Sequence, residues 1–317
     1  MNSSRYCIGI DIGGTSTKIG VVNAEGRITE HFTTLTSEYK RHTDFIREIQ
    51  RLLMPVIEQA GKDDCLGIGV GAPNANYYTG NIEHPVNLNW KGITPLGADL
   101  QQAMGLRVKI TNDANAAAMG EHTLGAAKPF AHCIVLTLGT GVGSGIIIHN
   151  ELLLGKDGFA GELGHTIVLP GGRYHPGSGL RGTLEAYCSA PGVVQTAVEK
   201  LDSGEYQCIL SRWNKQEITS RHITEGAQQG DRLCRDVFEE TGSLLGMAMA
   251  NFAHFSSPEA FIFFGGLSRA GNWLIEPARR SMEAHLLEVY KNKIQVLPGS
   301  LPESDAAILG AASLVMK

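Results

Sequence analysis

Cys7-Ile8-Gly9-Ile10-Asp11-Ile12-Gly13-Gly14-Thr15-Ser16-Thr17-Lys18-Ile19-Gly20-Val21-Val22 shares its pattern with Ile134-Val135-Leu136-Thr137-Leu138-Gly139-Thr140-Gly141-Val142-Gly143-Ser144-Gly145-Ile146-Ile147-Ile148. In each, an apolar run turns through a cluster of Gly and Thr and becomes apolar again. Each reads as a β-hairpin with a glycine-rich turn. Two such hairpins predict one chain folded as two similar halves, each aiming bare backbone N–H groups at the same anion. That arrangement is a phosphate clamp.

Outward from the hairpins, the composition is that of a soluble globular protein. The chain has 317 residues, enough for two domains with real cores. A formal charge of −5 argues against a general nucleic-acid surface, while leaving room for a local basic pocket. Met1–Tyr6 leads straight into the first strand with no basic-then-apolar leader, and no apolar run approaches the length of a membrane span. A cytoplasmic protein is expected. Its six cysteines are scattered without a CxxC pair, so reduced thiols are expected.

Along the first half, a third strand is expected over Arg27–Leu35. An amphipathic helix follows on Phe45, Ile46, Ile49, Leu52, Leu53, Val56 and Ile57. Leu66–Gly71 reads as a buried strand, Ala75–Gly97 as a long polar loop, Leu100–Met104 as a helix and Leu106–Ile110 as a strand. Thr111-Asn112-Asp113 then caps an alanine-rich helix, Ala114–Glu121. In the second half a turn at His149-Asn150-Glu151 starts another strand, and Lys156–Arg181 reads as a loop rich in Gly, Glu and His. Helices are expected near Gly192–Leu201, Ile223–Ala227 and Asp231–Phe255. A strand Ala260–Phe264 runs into Gly265-Gly266. A helix near 275–290, a strand Ile294–Leu297 and a helix Ala306–Met316 close the chain.

Several residues stand out chemically, each beside a purely structural reading. Hairpin turns use Gly for steric reasons alone. Asp11, however, is an acid in the middle of an apolar strand, where an unpaired charge is costly. It makes sense facing a Mg²⁺-bound water or a phosphate-bound cation. Thr15, Lys18 and Thr140 add donors beside the turns, and a nest of backbone N–H groups binds phosphate well. Asn112-Asp113 is either a helix cap or a cap plus a carboxylate able to take a proton from an attacking hydroxyl. Glu162 and His165 form either a surface pair or, with Glu185, a set suited to bidentate bonds with neighbouring hydroxyls of a polyol. Trp90 reads as a loop anchor in preference to a sugar contact.

Taken in order, the motifs resemble the ROK family of bacterial sugar kinases and repressors. They are DIGGT at 11–15, GAPN at 71–74, NLNW at 87–90, NDANAAAMGE at 112–121, GTGVGSG at 139–145, GELGH at 161–165, LEAY at 184–187 and GGLS at 265–268. The wording GAPNANYYTGNIEHP looks most like glucokinases of the Bacteroides type. The resemblance implies an α/β chain with the duplicated actin/hexokinase-like (ribonuclease H-like) ATPase fold, in two domains with an interdomain cleft. Residues 1–118 plus 303–317 would form a small domain to which the C-terminal helix returns, and 119–302 a larger one. It implies ATP-dependent phosphorylation of glucose at the 6-hydroxyl by a cytoplasmic homodimer, with the cleft closing over the substrates. Asp113 would be the general base. Asn112, Glu162, His165 and Glu185 would hold the sugar hydroxyls, with Asn74 a weaker candidate. Gly13, Gly14, Thr15, Lys18, Thr140 and Gly141 would surround the ATP phosphates, Gly265 and Gly266 would lie against adenosine, and Asp11 would act through Mg²⁺.

One departure from the pattern matters. The family implies a structural zinc held by the His of GELGH and three Cys of a CxCGxxGC motif before the LE pair. Here that stretch is Tyr174-His175-Pro176-Gly177-Ser178-Gly179-Leu180-Arg181-Gly182-Thr183, and no cysteine lies between Cys133 and Cys188. Zinc in structural sites takes four ligands, so no structural zinc is expected, and what braces the sugar pocket is left open. Alternatives are a kinase for N-acetylglucosamine or N-acetylmannosamine, a sugar-responsive repressor, which would carry a DNA-binding domain ahead of the first turn, and a non-catalytic sugar-binding regulator.

Overall fold

The computed structural model describes residues 5–85, 87–206 and 208–316. Met1–Ser4, part of the expected leaderless start, lie outside the described residues. The chain divides into two compact units. The first comprises Met1–Pro129, Gly145–Ala160 and Ser300–Lys317, and the second Phe130–Ser144 and Gly161–Gly299.

The first sheet contains β1 (Tyr6–Ile12), β2 (Thr17–Asn23), β3 (Ile28–Thr34), β4 (Cys65–Gly71) and β5 (Val108–Thr111). Its order is β3-β2-β1-β4-β5. The first three strands are an antiparallel meander, and β4 and β5 add parallel to β1. The second sheet contains β6 (Cys133–Leu138), β7 (Val142–Ile148), β8 (Glu151–Leu152), β9 (Ala260–Phe264) and β10 (Gln295–Pro298). Its order, β8-β7-β6-β9-β10, repeats the first. The expected duplication is therefore a duplication of topology. The parallel steps require crossover connections, and helices supply them.

In the first unit these helices are α1 (His42–Ala60) between β3 and β4 and α2 (Leu96–Met104) between β4 and β5, and α3 (Asp113–Leu124) follows β5. Side chains alternate across β1. Ile8, Ile10 and Ile12 join Phe45, Ile46, Ile49, Leu53 and Ile57 of α1 in one core. Cys7 points the other way, into a smaller cluster with Val22, Ile308, Leu309, Ala312 and Val315. Pro55 lies inside α1, where an interior proline costs about 3 kcal/mol. The helix persists because each of the five buried side chains on its stripe contributes roughly 1.5–3 kcal/mol of apolar burial, and Pro55 is exposed, so water reaches the carbonyl it frees.

Glycines in the strands let the last helix lie on the backbone of the sheet. A Cβ on Gly9 would stand 2.1 Å from the Ile308 carbonyl oxygen, and one on Gly69 1.8 Å from that of Ala311. Both belong to α9 (Glu303–Ser313), for which the intervening α4–α8 are Glu185–Cys188, Ala190–Asp202, Ser220–Gln228, Arg232–Ser256 and Asn272–His285.

Three expectations need correction. The polar loop over 75–97 contains a short antiparallel pair, Ile82–Glu83 with Ile93–Thr94, and α2 starts at Leu96, directly after Pro95. The loop over 156–181 contains a second pair, Tyr174–His175 with Leu180–Arg181. The helix expected near 275–290 runs Asn272–His285, because the chain turns extended at Leu286. Pairs of two residues are too short to carry a period.

Candidate active site

In the first unit, the candidate residues gather at the carboxyl ends of the parallel strands, where open α/β sheets bind ligands. Asp11 is the penultimate residue of β1. Across the ladder it opposes Lys18 on one side and Gly71 on the other. The missing side chain of Gly71 matters here, because a Cβ there would come within 3.0 Å of Ala116 and 3.8 Å of the Asp113 Cα. The bare backbone brings α3 close to the sheet and Asp113 into electrostatic reach of Asp11. Burial, then the charge of Asp113, push the Asp11 carboxyl up to about 6, with Lys18 pulling it down.

Asn112 is the helix cap, and its Oδ1 accepts the Ala114 N–H at 2.8 Å. Asp113 is the first helical residue, and its Oδ1 accepts the same N–H at 2.9 Å. The cap role thus belongs mainly to Asn112, which leaves the second Asp113 oxygen and the Asn112 amide nitrogen outside these bonds. Burial also raises the Asp113 carboxyl, and backbone N–H groups offset part of the rise. Asp113 is nevertheless exposed to solvent, which moderates that rise.

The first glycine turn closes through Gly13 N–H to the Ser16 carbonyl at 3.0 Å and leaves Thr15 and Lys18 exposed. Asn74 ends the β4 segment in the left-handed region (φ 55°), its carbonyl taken by the Glu83 N–H. Trp90 is an anchor, as expected. It is buried, donates from Nε1 to the Tyr39 carbonyl at 3.1 Å, and its ring centroid lies 5.1 Å from that of Phe45.

In the second unit, the turn between β6 and β7 closes through Gly139 N–H to the Gly141 carbonyl, and Thr140 is exposed at its tip. Gly265, at the end of β9, has φ 97° and sits so close to β6 that a Cβ would lie 2.6 Å from the Leu138 carbonyl oxygen. Gly266 follows it, exposed. The turn is also tied to the polyol candidates. Glu185 Oε2 accepts the Val142 N–H at 2.7 Å, and a Cβ on Gly141 would stand 2.4 Å from the same oxygen. GELGH packs on β7, where a Cβ on Gly164 would lie 2.0 Å from the Val142 carbonyl oxygen. His165 Nε2 is 3.8 Å from Glu162 Oε2, and its Nδ1 is buried without a hydrogen-bond partner.

His175 belongs to this cluster and was missed as a site residue. Its Nε2 lies 3.1 Å from Glu185 Oε1. One donor atom from each of His165, His175 and Glu185 lies within 4.8 Å of the others. The only sequence signal was a histidine inside the stretch that lacks the zinc cysteines. The implied zinc does not fit these residues. Among the described residues the cluster offers three donors where a structural zinc takes four, and the Cys188 thiol is buried and directed to the Thr241 carbonyl.

Among the described residues, no helix is long and apolar enough to cross a membrane. Comparison with known proteins extends the resemblance to the whole chain. The model of the ROK family matches residues 7–317. The chain is 33% identical to a glucokinase of Thermotoga maritima, across 97% of this chain and 96% of that protein. It is 31% identical to a xylose repressor of Caldicellulosiruptor bescii, covering 98% of this chain and 77% of the repressor. Among solved structures, a ROK family glucokinase from Streptomyces griseus in complex with glucose and AMPPNP matches with a TM-score of 0.78, 34% identity and 98% coverage of both chains.

Proposed function

Because the chain belongs to the ROK family, we propose that it is an ATP-dependent glucokinase that transfers the γ-phosphoryl group to the 6-hydroxyl of glucose. The observation that carries this reading is the pair of carboxylates, Asp11 and Asp113, at the ends of β1 and β5 beside a glycine turn. Relatives at about one-third identity over the full length, and a structural neighbour holding glucose and an ATP analogue, support it.

Each residue has a role in the reading. Asp113 accepts the proton of the 6-hydroxyl as the oxygen attacks phosphorus. A carboxyl raised by its surroundings is a stronger base than a free aspartate. Phosphoryl transfer asks mainly for positioning and neutralisation of charge. The turn at Gly13, Gly14 and Thr15 and the turn at Thr140 and Gly141 present backbone N–H groups to the phosphates, with Lys18 as a cation. Mg²⁺ bound with ATP would neutralise phosphate charge, and Asp11 would be the residue that holds it. Asn112, Glu162, His165 and Glu185 hold the sugar hydroxyls, and Asn74 contributes beside them. Gly265 and Gly266 give adenosine a flat backbone surface. The resemblance also supports a cytoplasmic homodimer, which light scattering on the purified protein checks.

The test is ADP release across glucose, mannose, fructose, N-acetylglucosamine and N-acetylmannosamine. Glucose should give the highest kcat/KM, and Asp113→Asn should lower turnover by about 10²–10⁴-fold. Near-normal turnover in that variant would remove Asp113 as the base, and no ADP with any hexose would leave a sugar-binding regulator.

A further inference from the structure

The loop that lacks the zinc cysteines is not loose. Tyr174 and His175 pair with Arg181 and Leu180, and Gly179 N–H closes the turn on the His175 carbonyl at 2.9 Å. The base of this hairpin is clamped to the helices that follow. The Arg173 N–H donates to the Tyr187 hydroxyl at 2.8 Å, and its guanidinium lies 4.5 Å from the centre of that ring. The same guanidinium donates to the carbonyls of Ala186 and Gly192 and to Thr196 Oγ1. Tyr187 and Ala186 share the single-turn helix α4 with Glu185. Hairpin and Glu185 are therefore held in one frame.

Within that frame the tautomer of His175 can be assigned. The Ser178 backbone N–H, which can only donate, points to His175 Nδ1 at 3.3 Å, and Ser178 Oγ lies 3.0 Å from the same atom. Nδ1 must therefore be an acceptor, and in a neutral imidazole the proton then sits on Nε2. Nε2 is the atom 3.1 Å from Glu185 Oε1. A metal at the His165–His175–Glu185 cluster would need Nε2 bare and Nδ1 protonated, toward a second-shell acceptor. The backbone donor at Nδ1 opposes that arrangement.

We propose that His175, accepting at Nδ1 and donating from Nε2, is a positioning residue for sugar recognition, holding Glu185 by a hydrogen-bond relay in place of a metal brace. The relay runs from the Ser178 N–H to His175 Nδ1 and from His175 Nε2–H to Glu185 Oε1, while the Val142 N–H fixes Oε2. Both Glu185 oxygens are held by one donor each. A carboxylate oxygen has two acceptor sites, so each keeps one for a sugar hydroxyl, in a fixed direction. The inference rests on the reading of Glu185 as a sugar ligand.

The first test is independent of activity. Long-range ¹H–¹⁵N correlation of the sugar-free protein should show a bare, accepting Nδ1 on His175 and the proton on Nε2. A proton on Nδ1 overturns the relay. The second test is kinetic. His175→Leu should raise the glucose KM by about 10–100-fold, the usual worth of a hydrogen bond to a charged group. Its kcat should fall far less and its ATP KM should hold. His175→Gln, whose amide can donate to the same oxygen, should recover most of the loss. In a Glu185→Gln background His175→Leu should add little, since the two act as a unit. Equal losses in both His175 variants, or full additivity with Glu185→Gln, overturn the proposal, as does stoichiometric zinc whose removal by a chelator weakens glucose binding. A wild type active on glucose with an unchanged KM in His175→Leu sinks this inference alone. A wild type inactive on glucose sinks the kinase reading with it.

Discussion

Replacing Asp11 by Asn should make the nucleotide-free protein more stable and the enzyme slower. The Asp11 carboxyl is pushed from 3.8 to about 6, by burial first and by the neighbouring Asp113 second, while Lys18 opposes the rise. Two pKa units at 1.36 kcal/mol each put the cost of ionising it in the folded chain at roughly 3 kcal/mol. Asp11 is partly accessible, and solvent screening brings the expected value to about 1–2 kcal/mol. The folded pKa lies above the unfolded one. The carboxyl therefore contributes stability that is fully present below about pH 4 and is lost as pH rises through about 6. An amide has no such charge to lose. The Tm difference between Asp11→Asn and wild type should thus grow across that window, reaching about 1.5–3 °C near pH 7.5 for a chain of 317 residues. Turnover should fall on the order of 10²-fold, because the carboxylate that would hold Mg²⁺ beside the phosphates is gone. Calorimetric scans of both proteins from about pH 4 to about pH 8 provide the assay. A Tm gain of the same size at both ends, or a less stable variant at neutral pH, would refute the account of Asp11 as a strained carboxylate.

Other substitutions read the geometry more directly. Gly141→Ala places a Cβ 2.4 Å from Glu185 Oε2. The carboxylate must give up the Val142 N–H, and the glucose KM should rise by about 10-fold or more. An unchanged KM would mean that the orientation of Glu185 does not matter. Gly69→Ala sets a Cβ against the Ala311 carbonyl in a backbone that cannot move aside without shifting α9. Overpacking there should cost about 3 kcal/mol, visible as a lower urea midpoint. Trp90→Ala should cost about 3–5 kcal/mol through loss of its burial against Phe45 and its bond to Tyr39. The KM of any molecule that still folds should stay near normal, and a large selective rise in glucose KM would make Trp90 a sugar contact.

How much of this could be read in the sequence depends on the distance over which each feature is decided. The two hairpins were legible because an apolar run, a glycine turn and a second apolar run are local, and the repeated strand order follows from them. Asp11 was legible as an acid out of place in an apolar strand. Asn112 and Asp113 were legible only as a pair, because cap and base ask for the same residue types at a helix start. Both side chains accept the Ala114 N–H, and only the position of Asp113 one residue into the helix marks Asn112 as the cap.

His175 lay beyond that horizon. Nothing within its own two-residue strand marks it. Its meaning is set by Glu185, ten residues on, by a backbone N–H three residues on that fixes the imidazole proton, and by Val142 on a strand of the second sheet. The missing cysteines showed in the sequence only that the motif implying a zinc brace is absent. What could replace it became visible only when the chain had folded, because a hydrogen-bond relay needs no motif: it needs a backbone donor on one nitrogen and a carboxylate within reach of the other. The same reasoning explains why a ligand count at this cluster misleads. Three metal-binding side chains lie close together, yet with the Ser178 N–H on Nδ1 the proposed relay has His175 donating to Glu185, so their proximity alone does not argue for a metal ion.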